Sequence, residues 1–341
     1  MRVDSRPAMG IREVIQARVR VSATHFVLIV AAMAAMLVLP ASADAAQLPV
    51  RYDFTQGIIA QGANPNSPPP GANDWNCKPS SAHPDPVILV HGLLANQTVN
   101  WQTISPLLAN HGYCVFSLTY GTLPNVSFPG YQPGGLAPME QSAAQLADFV
   151  SGVRAATGAR KVDIVGHSEG SLMPDYYVKY LGGSQFVRRY VGIATIWHGT
   201  DPLGLATLNQ IGKAYGISQA LEQQITPYCQ SCYEFFPDSS FITKLRDGGV
   251  AARGVAYTNI VTQNDELVQP YTSGIDQAPN MTNFVVQQQC GLDQAEHIAV
   301  VADPVAAQDV LNALDPKHQA PVPCTLVLPA IGAPLYSGPP Q

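Results

Sequence analysis

The nine residues IVGHSEGSL, 164–172, decide the fold. They lie where an apolar run, KVDIVGHS (161–168), stops at Ser168, which has a glycine two positions before it and another two positions after. The next stretch, GSLMPDYYVKYLG (170–182), spaces Leu172, Tyr176 and Leu181 as a helix does, so the order reads strand, sharp turn, helix. In such an elbow a side chain at 166 or 170 would collide with neighbouring backbone, which accounts for both glycines. The turn also aims Ser168 Oγ into a cleft at the start of a helix, whose N–H groups favour developing negative charge. G-x-S-x-G alone recurs by chance. Framed by a strand and a helix, it marks Ser168 as a nucleophile rather than a turn serine.

The pattern continues on both sides of the elbow. PVILVHG (86–92) and YCVFSLTYG (113–121) read as buried strands, and residues 97–110 carry Trp101, Ile104, Leu107 and Leu108 at helical spacing. PMEQSAAQLADFVSGVRAATG (138–158) is the clearest helix, with Met139, Leu146, Phe149, Val150 and Val153 on one stripe and Gly158 as its stop. Strands alternating with helices predict a mostly parallel central sheet with helices on both faces, and ligands on such sheets sit beyond the carboxyl ends of the strands. The sequence shows no internal repeat.

Composition is that of a loop-rich globular chain: 341 residues, 46% hydrophobic, only 12% charged, with 28 Gly and 29 Pro. The net charge is −6, and no basic run longer than Arg188-Arg189 follows residue 20, so the electrostatic footprint of nucleic-acid binding is missing. Residues 1–43 read as a signal peptide: arginines, then the apolar FVLIVAAMAAMLVL (26–39), then small residues at Ala41, Ala43 and Ala45. That apolar stretch is shorter than the roughly 20 residues that span a bilayer. Residues 1–43 hold five Arg and two acidic residues, so the remainder has 13 basic and 22 acidic groups, a net −9. Secretion is expected, with an irregular lead-in over 44–86, a catalytic domain over 87–315 and a Pro-rich tail over 316–341. In an exported chain the six cysteines read as disulfides; fifteen pairings are open, and proximity in the chain favours Cys77–Cys114, Cys229–Cys232 and Cys290–Cys324. CQSC (229–232) lacks the further ligands a zinc site needs, and no metal or cofactor is expected.

A serine nucleophile requires a base, and the base requires an orienting carboxylate. The elbow motif's usual order is Ser, acid, His, which favours His297, set between a polar loop and an aliphatic run. His198, in IWHGTDP (196–202), and His318, in the Pro-rich tail, remain competitors. Asp265 ends the strand-like VAYTNIVTQND (255–265) and is the expected acid, with Glu266 beside it; Asp201 and Asp238 fall in an insertion and Asp293 lies close to the histidine in the chain. Two backbone N–H groups should receive the oxyanion, from Glu169 after the nucleophile and Leu93 after the first strand. A carboxylate near that hole opposes the oxyanion, so the Glu169 side chain is expected to point away and accept hydrogen bonds elsewhere.

NDWNCKPSSAHPDPVILVHG (73–92), NWQTISPLLANHGYCVFSLTYG (100–121), KVDIVGHSEGSLMPDYYVKYLGG (161–183) and ATIWHGTD (194–201) resemble the secreted triacylglycerol lipases and carboxylesterases of actinomycetes, within the α/β-hydrolase superfamily. The resemblance runs from about Asp74 to Ile298. It implies a cofactor-free serine esterase or lipase with Ser168, Asp265 and His297 as its triad and Leu93 and Glu169 as oxyanion donors. In that family the histidine of IWHGT is not the base, which weakens His198. The chain departs from many relatives in having Glu169 where Gln or Met is usual. Residues 201–250 are longer than a crossover needs, and Leu205, Leu208, Ile211, Tyr215 and Leu221 suggest a lid or cap-like helical insertion that binds an acyl chain. A lipid or small ester substrate is expected, with transient contact to a lipid interface and no stable protein partner. A carboxylesterase for short esters, an acyltransferase and a binding protein that has lost its chemistry are the alternatives.

Overall fold

Four-residue runs such as VILV and VFSL leave no polar face for water, so they belong in a sheet covered on both sides. The computed structural model describes residues 47–214, 216 and 218–338. In it β1 (Val87–Val90), β2 (Val115–Leu118), β3 (Val162–His167), β4 (Val187–Ile193), β5 (Ala256–Val261) and β6 (Met281–Val285) form one sheet in the order β2-β1-β3-β4-β5-β6. Every neighbouring pair is parallel; Val87 pairs with Val115 on one side and Asp163 on the other, and Gly166 pairs with Gly192. The expected parallel sheet with helices on both faces is therefore present.

Alternation along each strand divides the core in two. Ile88, Val90, Val162, Ile164 and Tyr190 face one layer, where the helix Met139–Thr157 lays down Met139, Ala143, Leu146, Val150 and Val153. Val87, Leu89, Val165, Val191 and Ile193 face the other, against Ile104 and Leu108 and against Val305, Ala306 and Val310 of the helix Pro304–Leu314. The helix expected over 138–158 ends as its sequence indicates: Gly158 takes φ 76° and its N–H returns to the Arg154 carbonyl at 2.9 Å.

Two expectations need correction. The lead-in is not irregular throughout, since it contains a helix, Thr55–Ala63. Asp53 Oδ1 accepts from the Thr55 N–H at 2.9 Å and the Thr55 hydroxyl at 2.7 Å, and Gly57 packs so tightly on the Val99 backbone that a Cβ would lie 2.2 Å from its carbonyl oxygen. The helical run over 97–110 is two helices, Gln97–Asn100 and Ile104–Asn110; the break places Pro106, which lacks an N–H, in a first turn where no donor is needed. The order strand, sharp turn, helix is as expected, with a tight turn at Ser168–Ser171 before the helix Met173–Tyr180. The edge strand β6, MTNFV, was not anticipated because its polar, half-exposed residues carry no apolar run.

The signal-peptide reading of 1–43 lies outside the described residues. Among those described, no helix is long and apolar enough to cross a membrane. The three disulfides are the ones proximity favoured: Cys77–Cys114, Cys229–Cys232 and Cys290–Cys324. The Pro-rich tail is packed against the domain: Ala333 N–H bonds to Tyr52 O at 2.7 Å, Gln294 N–H to Val327 O at 3.2 Å, and Ala330 N–H to Glu296 Oε1 at 2.6 Å. It thus braces the loop that carries His297. Cys290–Cys324 links positions 34 residues apart around that loop. Replacing both cysteines by serine is expected to cost about 3 kcal/mol of unfolding free energy, readable by urea titration.

Candidate active site

Three loops leave the carboxyl ends of β3, β5 and β6 on one edge of the sheet, and they carry Ser168, Asp265 and His297. Ser168 sits at φ 55°, a left-handed conformation that holds its hydroxyl clear of the strand. The two glycines are required as the sequence suggested: a Cβ on Gly166 would lie 1.7 Å from the Gly170 carbonyl oxygen, and one on Gly170 would lie 1.9 Å from that of Val90.

Ser168 Oγ lies 2.8 Å from His297 Nε2, and His297 Nδ1 lies 2.9 and 3.0 Å from the two Asp265 oxygens. All three residues are buried, at 7%, 3% and 2% exposure. Asp265 Oδ1 also accepts the N–H groups of Leu267 at 3.0 Å and Val268 at 2.7 Å, which fixes the carboxylate in place. With the carboxylate on Nδ1, the Nδ1–H tautomer is favoured and Nε2 is free to accept the serine proton. Asp265 takes the ring while its neighbour Glu266 takes the His297 backbone N–H at 3.3 Å, so the two acids divide the work.

The competing residues lie elsewhere. His198 faces Asp276 at 3.9 Å, and His318 pairs with Asp315 at 2.8 Å beside a separate cavity of about 270 Å³. Asp201 accepts the Ala206 N–H at 2.6 Å, Asp238 pairs with Lys213 at 2.9 Å, and Asp293 accepts the Ala295 N–H at 2.8 Å.

Two residues were missed from sequence. His167 points away from the Ser168 hydroxyl as expected, yet its Nε2 lies 3.0 Å from the His297 carbonyl oxygen and its Nδ1 lies 3.1 Å from Asn100 Oδ1. Burial, then the nearby His297, hold its pKa well below the usual histidine range, so it is a neutral imidazole with one N–H to share between two acceptor oxygens. Asn100 Oδ1 also accepts the Gly92 N–H at 3.2 Å, tying the loop after β1 to the same network. That loop is held further by Leu94 N–H to Gly134 O at 3.0 Å and Gly134 N–H to Ala95 O at 2.7 Å. Among the described residues the N–H groups of Leu93 and Glu169 make no hydrogen bond to another element of the fold.

These groups open into an apolar cavity of about 560 Å³ lined by Ser168, His297 and Leu93. Its outer wall comes from the insertion, which folds into the helices Leu205–Ala214, Ser218–Ile225 and Ser240–Arg246 and contributes Leu205, Leu208 and Leu221. The same segment leaves Leu205 50% and Leu208 61% exposed at the rim. Among the described residues no group of three or more His, Cys, Asp or Glu side chains is placed to hold a metal ion.

A model of the class 2 lipase family matches residues 84–310. Over 143 residues, 36% of this chain, the sequence is 34% identical to triacylglycerol lipases of Pseudarthrobacter phenanthrenivorans and Burkholderia plantarii. Those stretches span 40% and 36% of the two relatives' lengths, so the chain matches well under half of either. The fold resembles the crystal structure of Aspergillus fumigatus lipase B, with a TM-score of 0.56 at 20% identity over 75% of this chain and 57% of that one. Because the family match runs from just before β1 into the last core helix and takes in most of the sequence, the chain belongs to the class 2 lipases, on the α/β-hydrolase fold.

Proposed function

We propose that the protein is a secreted serine hydrolase that cleaves carboxylic esters of lipids, with triacylglycerol as its substrate. The observation that carries the reading is the unbroken line of hydrogen bonds from Asp265 through His297 to Ser168 on the wall of an apolar cavity. Membership of the class 2 lipases supports it. His297 Nε2 takes the Ser168 proton as Oγ attacks the ester carbonyl, and the oxyanion is received by the N–H groups of Leu93 and Glu169. The imidazolium, steadied by Asp265, then protonates the departing alcohol. Water, deprotonated by the same histidine, releases the acid from the acyl-enzyme, so one hard step becomes two easier ones.

The acyl chain is assigned to the cavity, with residues 201–250 as its lid or cap. The exposed leucines at the rim suit brief contact with a lipid interface; an acidic protein has no charge attraction to anionic lipid, which leaves apolar contact. Three disulfides favour an oxidising compartment outside the cytoplasm.

Initial rates on esters of two to sixteen acyl carbons and on emulsified long-chain triglyceride test this reading. Each methylene entering the cavity is worth about 0.8 kcal/mol, or roughly fourfold in kcat/KM, so rates should climb with chain length until the cavity is full. Activity confined to short soluble esters would make the protein a carboxylesterase. Delivery of the acyl group to an added alcohol in preference to water would make it an acyltransferase.

A further inference from the structure

Hydrolysis by Ser168 uses the Glu169 backbone and has no evident need of its side chain. That side chain does not turn away from the loop of Leu93 to accept hydrogen bonds elsewhere, as had been expected. It is wholly buried, both carboxyl oxygens lack a hydrogen-bond partner, and it joins no ion pair among the described residues.

The elements around it explain where it lies. A Cβ built on Gly135 would lie 2.4 Å from Glu169 Oε2 and 3.0 Å from Leu93 Cα, so the carboxyl is wedged between the 134–135 backbone and the loop that offers the Leu93 N–H. Tyr120, from the segment after β2, flanks the carboxyl and donates its hydroxyl to the His91 carbonyl at 2.8 Å. His91 stacks on Tyr120 with ring centroids 4.4 Å apart, and burial pushes its pKa down to about 4, so it brings no charge. Tyr190, on β4, turns its hydroxyl to the Ser171 carbonyl at 3.0 Å. From the insertion comes Glu234, whose Oε2 accepts the Met139 N–H at 2.7 Å. The groups around Glu169 are thus the Tyr120 phenol, a neutral imidazole and a second acid, with no cation among the described residues. A carboxylate there would be buried, unpaired and next to the site where the ester oxygen becomes negative.

Resting on the assignment of Leu93 and Glu169 as oxyanion donors, we propose that Glu169 is a positioning residue that works as a neutral carboxylic acid, packing the oxyanion loop from below, and that its ionisation closes the site to the developing oxyanion. Burial first, and then the nearby Glu234, push its pKa well above the usual carboxylate range, against a smaller opposing influence from the Tyr120 hydroxyl. The neutral form is the active one. As pH rises through the elevated value, a second negative charge appears beside the oxyanion and the rate falls.

The test compares pH profiles of kcat/KM on a soluble ester for the wild type and Glu169→Gln, whose amide keeps the shape and cannot ionise. The wild type should lose about tenfold per pH unit on the alkaline side, and the variant should lack that limb. A limb that persists in the variant overturns the proposal. Infrared spectroscopy of wild-type protein carrying ¹³C-labelled glutamate reads the charge without hydrolysis and without a variant. Glu234, pushed up to about 6 by burial, is ionised above neutrality, so a protonated glutamate band surviving there reports Glu169. Complete ionisation at neutral pH overturns the proposal. A surviving band in a protein that hydrolyses no ester at any pH overturns the functional reading and, with it, the coupling to the oxyanion, while leaving the buried neutral acid in place.

Discussion

Replacing Ser168 by alanine is expected to lower kcat on any carboxylic ester by about 10⁶-fold while leaving the folded protein intact. The hydroxyl is the one group placed 2.8 Å from His297 Nε2, and no neighbouring side chain can replace it as nucleophile: the Ser171 hydroxyl is committed to the Ser168 carbonyl at 2.6 Å. Removing the oxygen fills no space and breaks no packing, so substrate binding in the cavity should survive with KM little changed. Asp265→Asn should cost about 10⁴-fold, because the amide lets the imidazole present the wrong tautomer to the serine. The double variant Ser168→Ala with His297→Ala should be hardly worse than either single one, since the groups act as a unit. Initial rates of the five proteins, wild type, the three single variants and the double, against a background without enzyme settle this; equal rates in wild type and Ser168→Ala would remove Ser168 from the chemistry altogether.

The second large effect concerns folding. Gly170→Ala places a methyl carbon 1.9 Å from the Val90 carbonyl oxygen, with the Val90 carbonyl carbon at 2.5 Å and the His91 oxygen at 2.6 Å. All three are backbone atoms of β1 and the loop after it, and β1 lies inside the sheet between β2 and β3, so no side chain can swing aside. Overpacking against yielding side chains already costs about 1–3 kcal/mol, and a backbone collision of this depth should exceed that. Against a typical reserve of about 5–15 kcal/mol, the variant should unfold at much lower urea and fail to place Ser168 correctly. Gly62→Ala is the control: it lies in the helix Thr55–Ala63 with nothing within 4 Å of the added carbon, and it should gain about 0.5–1 kcal/mol. Equal midpoints for the two variants would show that the elbow tolerates a side chain.

The contrast between those glycines explains how much of the site was legible. The steric demand at Ser168 is local, so it appears in sequence as glycines at 166 and 170 and an apolar run before them. The order of serine, acid and histidine follows from the order of β3, β5 and β6, which a parallel sheet maintains. His167 and Asn100 were not legible as supports for His297 and the loop after β1, because those contacts join residues 130 and 67 positions apart. The Thr55–Ala63 helix escaped notice because its support is the backbone of Val99, and β6 because an edge strand needs no apolar run. The surroundings of Glu169 come from Gly135, Tyr120 and Glu234, three stretches that no local pattern connects to the elbow.

The insertion leaves the chain after β4 and returns before β5, yet the pairing of those strands, from Arg189 with Ala256 to Ile193 with Ile260, needs nothing from it. Nucleophile, acid and base are all anchored outside it. The segment is nevertheless riveted to the scaffold at its far end, where Phe241, Ile242 and Leu245 enter the core and Glu234 holds the Met139 N–H. A laboratory graft that rewrites which molecules are admitted would therefore have to exchange the leucine-bearing helices Leu205–Ala214 and Ser218–Ile225 and keep those anchors.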